Sequence, residues 1–209
     1  MNQVEAESED NGISLRFAFI APALFGISLL GAGLLTLSAG LPEDIAHTVS
    51  SLAVFAAMAW LYRSFGLGFN RLGVVAVLSA VSAGVLLQAV SIGTITIVSK
   101  IDTAATVAIT LPYLLRLCVI DPVAEELCFR GVSLAALGRC GLPFWAANLI
   151  QAVLFACFHF NVVQSAYALV CALVLGGLRQ RDGIGSSIIA HCVCNLSGLL
   201  LGIVLVRFA

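Results

Sequence analysis

From residue 15 onward the chain is built from apolar runs, each close to the ~20 residues that a helix needs to cross a bilayer, separated by short polar breaks. The first run reads Phe17 to Gly40 and stops at Leu41-Pro42-Glu43-Asp44. The second covers Ile45 to Tyr62, before a glycine-rich loop from Arg63 to Arg71. The third runs from Leu72 to Ser99 and is closed by Lys100-Ile101-Asp102. The fourth starts near Ala104, meets Asp121-Pro122, and resumes to Leu137. Proline lacks a backbone donor, so a kink or a fresh helix start is expected there, with Asp121 as its cap. Gly138 to Leu142 reads as a turn, followed by runs over Pro143–Phe160, Val163–Leu178 and Ile184–Val206. The expectation is an all-α, polytopic membrane bundle of about seven transmembrane helices.

Composition agrees. Hydrophobic residues make up 61% of the 209 and charged residues 10%, with a mean hydropathy of +1.09. Soluble domains carry about 25% charged residues. Residues 1–14, with Glu5, Glu7, Glu9 and Asp10, read as a short solvated arm. They lack the basic start of a secretory signal. Residues 15–209 then form a single transmembrane domain. A net charge of -1 with scattered Lys and Arg leaves no basic stripe for nucleic acid. With the N-terminus in the cytoplasm, Arg16, Arg63, Arg71, Arg139, Arg179 and Arg181 fall on that side, against Lys100 and Arg207 on the other. Basic flanks favour the inner face, so this orientation is expected. The seven cysteines are an odd number without a C-x-x-C pair, and read as small apolar residues between helices.

The last half of the chain holds polar side chains that a lipid-facing helix would not carry, since a charge at the bilayer centre costs about 2.5–3.5 kcal/mol or more. Glu126 and Arg130 are four residues apart and share a helix face. Glu125 points about 100° away, so one carboxylate can pair with Arg130 while the other faces a cavity. Phe155 and His159 share a face by the same spacing, as do His191 and Asn195. Singly, each has a plain structural reading: a self-neutralising helix end, a core histidine, a polar clasp between helices. Together they suggest a buried site.

The sequence Glu125-Glu126-x-x-x-Arg130 with Gly131, then Phe155-x-x-x-His159, then His191-x-x-x-Asn195, resembles the CAAX protease and bacteriocin-processing family. Its best-known group is the Ras-converting type of prenyl-protein endopeptidase. The resemblance spans about residues 104–200. It implies a glutamate-dependent intramembrane endopeptidase with neither metal nor cofactor. Glu125, helped by His159, would activate a water, and His191 and Asn195 would donate to the oxyanion. Glu126 and Arg130 would fix Glu125. The implied substrate is a membrane-associated protein or peptide cleaved near a terminus. The compact chain points to a bacterial inner membrane. Two rivals remain open at this stage. One is a zinc metallopeptidase, since two histidines and a glutamate can bind zinc. The other is a non-enzymatic scaffold or transporter, which also buries Glu and His.

Overall fold

The computed structural model describes residues 3–98, 110–159 and 161–208. The described residues form seven helices and no strand: α1 (Gln3–Ser38), α2 (Glu43–Ser64), α3 (Val74–Val98), α4 (residues 111–139), α5 (Phe144–Cys157), α6 (Val162–Asp182) and α7 (Ile184–Phe208). The architecture is an all-α membrane bundle. Five segments are long and apolar enough to cross a membrane: Leu15–Ser38, Glu43–Ser64, Val74–Ser91, Val162–Asp182 and Ile184–Val204. Large apolar side chains point outward, as Leu30, Leu34 and Leu35 do on α1. Lipid is as apolar as the core, so such exposure costs nothing there.

The turns fall where the polar breaks are. Only Gly183 separates α6 from α7; its φ of 94° lies in the left-handed region open to glycine. The break at Lys100–Asp102, the start of the fourth run near Ala104 and the end of the fifth at Phe160 lie outside the described residues. The fifth run is expected to be helical to its end, yet α5 stops at Cys157 after 14 residues. The chain then turns through Phe158 and His159, whose amides donate to the carbonyls of Phe155 and Ala156. Asn161 caps α6 by accepting from the amides of Val163 and Gln164. His159 is therefore held in a turn between two helix ends.

α4 lies at the centre, packed against α1, α2, α5, α6 and α7. It is one unbroken helix in which α turns alternate with π turns at Arg116–Ile120 and Glu126–Ser133. This corrects the expectation of a helix start at Pro122. Asp121 has helical φ and ψ and caps nothing; it pairs with Arg116 at 3.3 Å. The two glutamates thus gain nothing from a helix dipole. The π turn explains why proline is tolerated. Its bonds run from residue i to i−5, and Asp121 donates to the Arg116 carbonyl. Pro122 has no N–H for the next link, to Leu117. Asn195 on α7 supplies it, its Nδ2 donating to the Leu117 oxygen at 2.9 Å.

Small residues set the closest approaches. A Cβ on Gly131 would stand 2.6 Å from the Tyr62 ring, and one on Gly84 would strike the Ala190 carbonyl between α3 and α7. Asn148 and Gln151 tie α5 to α6 through the Leu173 and Ala172 carbonyls, at 3.0 and 3.2 Å. Phe25, Phe129, Phe155 and Phe158 form an edge-to-face cluster beneath the motif residues.

Candidate active site

The second π turn places Glu126 and Arg130 fully inside the protein, both 0% exposed, with Arg130 Nη1 3.0 Å from Glu126 Oε1. The guanidinium lies 4.3 Å above the Phe155 ring. Its hold is charge and ring contact rather than aligned hydrogen bonds, because the 3.0 Å approach lacks hydrogen-bond geometry. Two groups from α7 complete the surroundings of Glu126. Ser187 donates to Oε2 at 2.7 Å, and His191 Nδ1 lies 2.9 Å from Oε1.

Glu125 turns the other way. Its carboxylate is partly open, and Oε2 lies 3.6 Å from His191 Nε2. His191 therefore bridges the two glutamates, one at each ring nitrogen. An ionised carboxylate only accepts, so Nδ1 carries a proton toward Glu126. As a neutral ring, His191 shows Glu125 a lone pair; as imidazolium, it shows an N–H.

His159 is fixed by the same reasoning. Its Nδ1 meets the Phe155 carbonyl at 3.2 Å, and a carbonyl only accepts. Nε2 is left as the basic nitrogen. Ser165 holds the backbone beside it through the His159 carbonyl.

Glu125, His159, His191 and Asn195 line one cavity of about 240 Å³, together with Asp121, Gln164 and Tyr167. A second cavity of about 370 Å³ meets it at Asp121, Glu125, Phe155 and His159. Its walls are Phe25, Leu29, Phe129 and Phe158, with Arg116 and His47 at its polar points. Glu125 and His159 thus stand where a polar and an aromatic chamber join. Among the described residues, no three His, Cys, Asp or Glu side chains form a metal-ligand group.

The four candidate residues are thus gathered, and Glu126 and Arg130 sit behind them. Asn195 is partly committed, since one amide hydrogen goes to Leu117 and the other remains for the cavity. Ser187 and the Asp121–Arg116 pair also stand at the site, outside the three sequence motifs. Ser187 had a signal: Ser187, His191 and Asn195 recur every four residues along one face of α7.

Residues 107–197 match the family model described as "Type II CAAX prenyl endopeptidase Rce1-like". Comparison with curated proteins and with solved structures yields no match. The matched stretch carries all three motifs and every candidate residue, so this part of the chain is similar to the Rce1-like type II CAAX prenyl endopeptidases, a family of membrane proteases.

Proposed function

We propose that this protein is a glutamic-type intramembrane endopeptidase that hydrolyses a peptide bond near the terminus of a membrane-associated protein. The observation that carries the reading is the shared position of Glu125 and the free Nε2 of His159, at the junction of a polar and an aromatic chamber. A water held between them loses a proton to Glu125 or His159 as its oxygen attacks the scissile carbonyl. Base assistance of this kind is worth about 10²- to 10⁴-fold. The carbonyl oxygen becomes an oxyanion that accepts the free amide hydrogen of Asn195. His191 adds a second donor when its ring carries both protons. The proton then passes to the leaving nitrogen, and the C–N bond breaks to give a carboxylate and an amine. The aromatic chamber suits an apolar group on the substrate, and the polar chamber suits the peptide.

The proposed setting is a bacterial inner membrane with a cytoplasmic N-terminus. The basic ends support this orientation. Arg139 reaches the Phe65 carbonyl, and Arg181 reaches Ser79, gathering several of them at one end of the bundle.

The test is cleavage in proteoliposomes of a peptide ending in a farnesylated cysteine and three further residues. Glu125→Gln keeps the shape but removes the base. It is expected to lower turnover by at least about 10²-fold while accumulation stays at the wild-type level. Cleavage by Glu125→Gln at the wild-type rate would overturn the reading.

A further inference from the structure

At the end of the bundle where the α2–α3 and α6–α7 turns meet lies a separate, polar cavity of about 420 Å³. Tyr62, Asn70, Arg71, Arg179, Arg181 and Ile184 line it. The two turns are packed together: a Cβ on Gly183 would stand 3.1 Å from Asn70, and one on Gly185 3.1 Å from Leu72. The concavity is therefore built by the fold rather than by one loose loop.

Its charges do not balance. Arg181 is engaged by Asp182 at 2.7 Å and by Ser79 at 2.5 Å, and the Tyr62 hydroxyl donates to the Gly68 carbonyl at 2.8 Å. Among the described residues, neither Arg71 nor Arg179 has an ion pair or a hydrogen bond, although Arg179 is half-buried. A guanidinium taken partly out of water without a counter-charge is costly, and its planar fork matches the oxygens of a phosphate. The start of α7, at Ile184, borders the same space.

The adjoining surface identifies the carrier of that phosphate. Arg181 contacts Ser79 on α3, whose first turns expose Val74, Val75 and Leu78. An acyl chain lying there would be in contact with protein while its headgroup reached the arginines. A free phosphate has no use for that apolar strip. We infer that this cavity is a binding site for the phosphodiester headgroup of an anionic phospholipid. Basic pockets at a membrane face suit such headgroups. Ile184 at the cavity wall lies one turn before Ser187, so a bound headgroup steadies the root of the helix that carries Ser187, His191 and Asn195.

The test uses the purified full-length protein in uncharged detergent, with melting followed by the fluorescence of its tryptophans. Phosphatidylglycerol, phosphatidylcholine of the same chains, and inorganic phosphate are titrated separately. Phosphatidylglycerol is expected to raise the Tm saturably, and phosphatidylcholine to leave it unchanged. R71Q/R179Q is expected to weaken the phosphatidylglycerol response by about tenfold or more. R63Q, at the same end but outside the cavity, keeps it. The inference is overturned if phosphatidylcholine stabilises equally, if R63Q weakens the response as much as R71Q/R179Q, or if inorganic phosphate stabilises and phosphatidylglycerol does not. Should R71Q/R179Q not accumulate, R71Q alone decides the matter, because Arg71 is exposed in a loop. Undiminished response in R71Q then overturns the site. The measurement involves no hydrolysis, so it stands apart from the proposed activity.

Discussion

Arg130 and Glu126 neutralise each other where no water reaches, so neither can be removed alone without stranding the other. Arg130→Leu is expected to cost about 3–5 kcal/mol, seen as a lower Tm and reduced accumulation. Adding Glu126→Gln should restore much of that loss. The amide carbonyl still accepts from His191, its NH2 donates to the Ser187 hydroxyl oxygen, and no unpaired charge remains. Equal melting of the single and double variants would show that the charge pair is idle. This pairing was legible in the sequence because four residues of helix put both side chains on one face. The contacts of Glu126 with Ser187 and His191 were not, since they join positions more than 60 residues apart. No local spacing encodes which face of α7 meets α4.

α4 shows how an element departs from its sequence pattern while keeping its residues in place. Pro122 predicts a break, but a π turn and the Asn195 amide take up the carbonyl that proline leaves unpaired. Asn195→Ala should therefore have two separable effects. One is lost catalysis, about 10²- to 10³-fold if its free hydrogen serves the oxyanion. The other is a stability loss of about 1–3 kcal/mol from the orphaned Leu117 oxygen. Pro122→Ala restores a donor on α4 itself. Combined with Asn195→Ala, it should recover the melting temperature and leave the activity low. Recovery of both would make Asn195 a structural clasp alone. Gly131 is the other element-scale feature, because the Tyr62 ring occupies the place of its side chain. Gly131→Ala is expected to destabilise by about 1–3 kcal/mol. Gly138→Ala, with open space around it, should be neutral or stabilising by up to about 1 kcal/mol. The family motif revealed that Gly131 accompanies Arg130, but only the fold supplies the reason, which is a ring from α2.

At the scale of the whole molecule, the helical bundle was readable because an apolar run in lipid must satisfy its backbone hydrogen bonds within itself, as a helix does. The junction of two chambers at Glu125 and His159 was not, because it depends on how α1, α2, α5, α6 and α7 surround α4. The brevity of α5 was also hidden, since the apolar pattern continues past its end. That brevity bears on the membrane itself. Fourteen residues span about 21 Å, against a hydrocarbon thickness of about 30 Å. Lipid beside α5 is then expected to shorten its chains to match, drawing headgroups and water toward His159. Such mismatch costs fractions of a kcal/mol per Å. Hydrolysis is therefore expected to slow as the host vesicles change from short-chain to long-chain lipids. A rate that is independent of chain length would show that the bilayer does not bend to this helix.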